Sequence, residues 1–184
     1  MTKIGILLGS LRKESFSKKI AANVAALFPE GMEAEFVEIG NLPLYNQDFD
    51  DENNVPAEYT TFRNKMKEIE AVLFVTPEYN RSVPAVLKNA LDVGSRPYGA
   101  SVWSGKPAAI ISQSPGNLSG FGANHHLRQS LVFLNMPTVQ QPEAYIGNVA
   151  ALLDENGKLK DENTVQFLQT FADAFVDLIK RHQA

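Results

Sequence analysis

Short runs of contiguous apolar residues alternate along this chain with longer stretches in which apolar residues recur every three or four positions. The first kind reads as buried strand and the second as amphipathic helix. Residues 3–9 (Lys-Ile-Gly-Ile-Leu-Leu-Gly) predict a first strand. A helix over 15–28 follows, with Phe16, Ile20, Val24 and Leu27 on one face, stopped by Pro29 and Gly31. Residues 33–38 alternate polar and apolar, as a half-buried or edge strand does, and a long acidic loop fills 40–56. A second helix over 57–69 aligns Phe62, Met66 and Ile69. Residues 71–76 are apolar up to Thr76, the pattern of a central parallel strand covered on both faces. Pro84 suits the first turn of a third helix, in which Val83, Val86, Leu87, Ala90 and Leu91 line up. A fourth strand is predicted at 107–112, a fourth helix at 122–135 with Leu127, Leu131 and Leu134, and a short fifth strand near 137–141. A connector over 144–160 turns at Glu155-Asn156-Gly157, and a last helix over 162–181 buries Leu168, Phe171, Phe175, Leu178 and Ile179.

Strands that alternate with helices predict an α/β fold: a doubly wound, five-stranded parallel sheet with helices on both faces. The common five-strand order is 2-1-3-4-5, which puts the switch point between strands one and three, and ligands bind beyond the carboxyl ends there. The 184 residues show no repeat, no low-complexity tract and no linker, so residues 1–184 are expected to form one domain.

Composition narrows the function. Apolar residues make up 44% and charged residues 21%, as in a globular chain. A net charge of -4 argues against nucleic acid or an anionic membrane as partner, since both require concentrated basic charge. With no cysteine, disulfides, thiol nucleophiles, Cys-ligated zinc and iron–sulfur clusters are excluded. No apolar run is long enough to span a bilayer, and the first strand starts within a few residues of Met1, so a cytoplasmic protein is expected.

The loops after strands one, three and four carry the chemistry. The first, Ser10-Leu11-Arg12-Lys13-Glu14-Ser15-Phe16-Ser17, opens a helix, where free N–H groups and the helix dipole attract an anion. It matches neither the P-loop nor the G-x-G-x-x-G pattern. Ser10, Ser15 and Ser17 hydroxyls with Arg12 suit a phosphate; the alternative is that Ser15 only caps the helix and Arg12 is solvated. The second loop, Pro77-Glu78-Tyr79-Asn80-Arg81-Ser82-Val83-Pro84, is stiffened by proline at both ends and either presents backbone amides to a flat ring or is simply a rigid turn. The third, Ser112-Gln113-Ser114-Pro115-Gly116, would close the opposite edge; it lacks the G-x-S-x-G of a serine nucleophile. His125 and His126 are adjacent and point apart on a helix, a poor metal pair, so no metal site is expected. Tyr98 and Trp103, in the loop 94–105, either line a ligand mouth or pack at an interface.

Taken together, Gly9-Ser10-Leu11-Arg12-x-x-Ser15, Thr76-Pro77-Glu78-Tyr79-Asn80-x-Ser82-Val83-Pro84 and Leu87-Lys88-Asn89-Ala90-Leu91-Asp92 resemble the NADPH-dependent FMN reductase family, from the first strand to about Glu143. These are flavodoxin-like flavoproteins that include quinone, chromate and azo-dye reductases. The resemblance implies a flavodoxin-like FMN-binding domain, with NADPH or NADH as cosubstrate. It places the FMN phosphate on Ser10, Arg12, Ser15 and Ser17, and the ring against Pro77, Glu78, Tyr79 and Asn80 with Ser114 and Gly116 on the neighbouring loop. Leu44 and Tyr45 resemble a P-L-Y segment near the flavin mouth. Gly120-Phe121-Gly122-Ala123 lacks the arginine of many relatives, and His125 replaces an aromatic; in some relatives these positions and the counterpart of Glu143 link subunits. The resemblance thus implies a homodimer, with a tetramer possible. Val93 stands where tryptophan is frequent, which points to a wider pocket.

The implied activity is that of an NAD(P)H:acceptor oxidoreductase: two-electron, ping-pong hydride transfer through bound FMN to quinones or similar small acceptors. The flavin does the redox chemistry and no side chain is needed as catalyst. N–H groups of residues 78–80 would stabilise charge on the reduced ring. Arg81 either reaches the 2′-phosphate of NADPH or is solvated. Two alternatives remain: a flavodoxin-type one-electron carrier, and a flavin-lacking regulatory relative of the same fold.

Overall fold

In a computed structural model that describes residues 1–183, the alternation of apolar runs and helical stripes becomes one parallel sheet of five strands in the order β2-β1-β3-β4-β5. The strands are β1 (Thr2–Leu8), β2 (Met32–Phe36), β3 (Ala71–Thr76), β4 (Ala108–Gln113) and β5 (Ala144–Ile146). The helices are α1 (Phe16–Ala25), α2 (Asp48–Asp51), α3 (Ala57–Glu68), α4 (Ala85–Gly94), α5 (Phe121–Phe133), α6 (Val149–Leu152) and α7 (Glu162–Gln183). This is the predicted topology.

Every residue of β3 and β4 is buried, because both faces of the central sheet are covered. Alternate side chains feed two cores. Leu7, Val72, Phe74, Ala108 and Ile110 pack with Phe62 of α3, Leu87 of α4 and Leu127 of α5. Ile4, Ile6, Leu73, Val75 and Ile111 pack with Ile20 of α1 and with Phe171 and Phe175 of α7. Strand β2 lies at the edge, blunted by Glu33 and Glu35, the latter paired with Lys65 at 2.7 Å.

The fifth strand is displaced from its predicted place. Residues 137–139 start the pairing, with Thr138 bridged to Ala108, but the ladder resumes only at Ala144 opposite Ile111. Pro142, without an N–H to donate, sits in the gap. Trp103 neither lines a mouth nor waits at an interface. Its indole is fully buried against Phe62 and Phe74, and its Nε1 donates to the Leu91 carbonyl at 2.9 Å. Val93 is buried in the same core and widens no pocket; Tyr98 is exposed. The acidic loop is held to the body by a buried ion pair, Arg63–Asp50, and by Asn89, whose Oδ1 accepts from the Tyr45 N–H at 2.8 Å while its Nδ2 donates to the Pro43 carbonyl at 2.9 Å.

Candidate functional site

At the carboxyl ends of β1, β3 and β4, three loops converge on a cleft of about 180 Å³. The first contributes Ser10, Arg12 and Phe16; the second Pro77, Glu78 and Tyr79; the third Gln113, Ser114 and Pro115. Gly9 lets the first two meet: a Cβ there would collide with the Thr76 side chain and reach 3.1 Å from Pro77 Cδ. The Gly9 N–H donates to Val75 O at 2.9 Å, and Thr76 Oγ1 donates to Pro77 O at 2.7 Å.

Ser15 caps α1, its Oγ accepting from the Lys18 N–H at 3.2 Å. Capping does not remove the hydroxyl proton, so Ser15 still has a hydrogen to donate. The N–H groups of Phe16 and Ser17, in the first turn of α1, have no acceptor among the described residues. The Arg12 guanidinium has no carboxylate within 4.0 Å among them either. An unpaired arginine beside a helix N-terminus with free donors has the donors and the charge that an anion needs.

The second loop folds back on itself. Tyr79 and Ser82 exchange N–H···O bonds of 3.1 and 2.9 Å, while Asn80 and Arg81 have φ of 50° and 65°. Two left-handed residues between the bonded pair are what a type I′ turn requires, and arginine is unusual there. Strain of that kind collects where a backbone must face a ligand. The turn uses the Tyr79 N–H, so among the described residues Glu78 and Asn80 are the two of the three expected whose N–H groups have no acceptor.

Two side chains dock this loop on α5. The Glu78 carboxylate, almost buried, accepts from the Ala123 N–H at 3.1 Å and lies 3.4 Å from Arg81 Nη1. Ser82 Oγ is 2.9 Å from His126 Nδ1. Gly122 is needed for this approach, because a Cβ would come to 2.7 Å from Arg81 O and 2.8 Å from Glu78 Oε2. An arginine at 122 does not fit here.

Of the ten residues singled out from the sequence, Ser10, Arg12, Pro77, Glu78, Tyr79 and Ser114 line the cleft. Ser15 sits at the helix cap, and Ser17 is buried with its Oγ accepting from Gln113 Nε2 at 3.0 Å. Asn80 lies at the tip of the turn. Gly116 is outside the cleft lining, its carbonyl accepting from Ser114 Oγ at 2.8 Å and from the Asn148 N–H at 3.4 Å. Phe16, Gln113 and Pro115 line the cleft as well; the sequence puts Gln113 and Pro115 in the third loop and Phe16 on the apolar face of a helix, without assigning any of them to the cofactor. Gln113 has a signal: a long polar side chain ending a central strand that is apolar up to Ser112. It is buried, and its Oε1 has no partner among the described residues. A buried acceptor without a donor at the wall of a cleft is costly unless a ligand supplies one.

Tyr45 is not at this cleft. It lines a larger groove of about 590 Å³ between α4 and α5, with Lys88, Arg96, His126 and Phe133. Farther along α5, His125 Nε2 is 2.9 Å from Tyr145 Oη, and the His125 and Phe121 ring centroids are 4.3 Å apart. Burial, reinforced by the Glu143 carboxylate, pushes the Tyr145 phenol up to about 12. Among the described residues no helix is long and apolar enough to cross a membrane.

The sequence pattern of a family described as "NADPH-dependent FMN reductase" matches residues 2–151. A quinone reductase of Pseudomonas putida is 54% identical over 181 residues, 98% of this chain and 96% of its own length. A 2-hydroxy-1,4-benzoquinone reductase from Burkholderia is 44% identical, over 97% of this chain and 96% of its own. Among solved structures, FerB, a flavoenzyme NAD(P)H:(acceptor) oxidoreductase from Paracoccus denitrificans, superposes with a TM-score of 0.92 at 38% identity, covering 99% of both chains. The pattern spans most of the chain and these relatives align over nearly all of it, so this chain belongs to the NADPH-dependent FMN reductase family and shares its oxidoreductase class.

Proposed function

We propose that this chain is a cytoplasmic NAD(P)H:acceptor oxidoreductase that folds as one domain, holds FMN in the three-loop cleft and reduces quinones or similar small acceptors. The observation that carries the reading is the complementarity of the cleft. Unpartnered N–H donors and a free arginine stand at one end, and the polar Gln113 lines the wall, its Oε1 buried without a partner among the described residues. Phosphate fits the first and a ribityl hydroxyl the second.

Flavin, when bound, supplies the hydride acceptor and the two-electron redox chemistry. The chain positions it. Arg12, Ser10 and the first-turn N–H groups of α1 hold the phosphate, with Ser15 and Ser17 hydroxyls as further donors. The Glu78 and Asn80 N–H groups face developing negative charge at the ring edge. Ser114 and Gly116 shape their loop through mutual bonds of 2.8 and 3.2 Å, acting as positioning residues. Arg81 stands 74% exposed, 3.4 Å from Glu78, so its guanidinium is free either to reach the 2′-phosphate of NADPH or to stay solvated. At about 180 Å³ the cleft is smaller than ordinary small-molecule pockets, so the flavin extends past it beside half-exposed Tyr79. One open face serves nicotinamide and acceptor in turn.

The groove between α4 and α5 supports a homodimer. Phe133, which lines it, stands 89% exposed, and its neighbour Val132 on α5 75%, large apolar side chains left open to solvent. The missing arginine at position 122, where a Cβ would already come to 2.7 Å from Arg81 O, favours a dimer over a tetramer.

The test is the absorbance spectrum of the purified protein, before and after anaerobic NADPH, followed by steady-state kinetics at several quinone concentrations. A flavin spectrum bleached by NADPH and parallel double-reciprocal lines are expected. A colourless protein that does not take up FMN overturns the cofactor assignment, and intersecting lines overturn the shared face.

A further inference from the structure

The first loop has a second side. Across Ser10 and Arg12 from the flavin cleft, a separate groove of about 330 Å³ runs to the carboxyl end of β2. Lys13 and Lys18 border it with Arg12, and none of the three has a carboxylate within 4.0 Å among the described residues. Glu14, the nearest candidate in sequence, is taken by Lys19 at 2.8 Å. Only Glu38 opposes them at the groove. Three cations against one carboxylate, in a chain of net charge -4, exceed what one flavin phosphate held by Arg12 requires.

The remaining wall is apolar, lined by Leu8, Leu11, Phe36, Val37 and Ile39. Phe36 is 47% exposed at the end of an edge strand, and Leu11 is 62% exposed. Glu38 is held in place by the Gly40 N–H, which donates to its Oε1 at 2.7 Å, leaving Oε2 free as an acceptor. An aromatic face, a fixed carboxylate just past the second strand, and a pair of lysines next to a phosphate loop match three parts of one ligand. The ring stacks on Phe36, ribose hydroxyls donate to Glu38, and phosphate oxygens accept from the lysines.

We propose that this groove binds the adenosine phosphate half of a dinucleotide, side by side with the flavin phosphate. The inference rests on the flavin reading for the occupant of the neighbouring cleft. Two ligands carry this half: a flavin adenine dinucleotide, with the adenylate attached to the bound flavin, or the NAD(P)H cosubstrate.

Calorimetric titration with ADP, on the FMN-loaded protein and again without flavin, reads the groove directly. ADP should bind, Lys13→Ala/Lys18→Ala should weaken it about tenfold or more while FMN affinity stays unchanged, and Phe36→Ala should weaken ADP but not pyrophosphate. Two further measurements separate the sources. If FAD binds the flavin-free protein about tenfold tighter than FMN, and the double lysine variant removes that difference, the adenylate is that of the flavin. If FAD has no advantage and ADP competes with NAD(P)H, with a weaker inhibition constant in the variant, it is that of the cosubstrate. No ADP binding at millimolar concentration, ADP binding unaffected by the lysine and Phe36 substitutions, or pyrophosphate binding as tightly as ADP would each overturn the proposal. A protein that binds ADP as described but not FMN would sink the flavin assignment and leave the groove standing.

Discussion

Cutting the Arg63–Asp50 pair tests how the acidic loop is held. Arg63 Nη1 and Nη2 donate to the two Asp50 oxygens at 2.7 and 2.8 Å, and Arg63 Nε donates to Val93 O at 3.0 Å. The side chains are 10% and 7% exposed, so solvent screens the pair weakly. Tyr59 lies under the guanidinium, 5.2 Å from ring centroid to Cζ. Removing one partner leaves a buried charge without its counter-ion, which costs about 3–5 kcal/mol. Replacing both with apolar side chains removes that penalty. Arg63→Met and Asp50→Leu alone should each lower stability by about 3–5 kcal/mol in urea denaturation, whereas the double variant should fall within about 2 kcal/mol of the parent. For a chain of this size each kcal/mol moves the Tm by roughly 2–4 °C, so each single variant should melt about 6–20 °C lower. The pH dependence has a definite sign. Arg63, mainly by hydrogen bonding, holds the Asp50 carboxyl below its ordinary value. Its contribution is therefore complete above the unfolded value near pH 4, about 3.9, and is lost as pH falls through the folded value. The double variant should lack that part of the acid destabilisation. Single variants each costing under about 1 kcal/mol, or costs that simply add in the double variant, would refute the reasoning.

Arg12→Ala should weaken FMN binding about 10- to 150-fold with the fold intact, read by flavin fluorescence quenching; unchanged affinity would remove Arg12 from the phosphate site. Gly122→Ala forces the Arg81 carbonyl or Glu78 to move, so it should cost about 1–3 kcal/mol and loosen FMN; a variant with parental stability and affinity would show that the loop does not need that close approach. Tyr145 should stay neutral until about pH 12 in an ultraviolet titration. Its raised value makes a stabilising contribution that is whole below pH 10 or so and is lost as pH rises through 12, so Tyr145→Phe should flatten the alkaline stability loss over that window. Light scattering should give a dimer, and a monomer would remove the α4–α5 interface.

What could be read from the sequence was local or followed from chain order. Contiguous apolar residues at 71–76 and the helical stripe through Leu87, Ala90 and Leu91 announce their periods without reference to anything distant. Once strands and helices alternate, handedness and the switch point place the loops after β1, β3 and β4 at one end of the sheet, and six of ten expected residues meet there. The rest depended on partners far away in the chain. Trp103 is core because α3 and β3 leave a space for an indole beside Leu91. Glu78 turns toward α5 because the Ala123 N–H lies within reach, a pairing 45 residues apart. Ser17 turns inward to Gln113, 96 residues away, while Gln113 Oε1 stays buried without a partner among the described residues. The fifth strand shifted because pairing with β4 is decided by register and by where Pro142 interrupts the ladder, neither of which apolar periodicity encodes. Periodicity reports which face of an element is apolar; only the packed structure decides what that face, and each polar group beside it, finds as a partner.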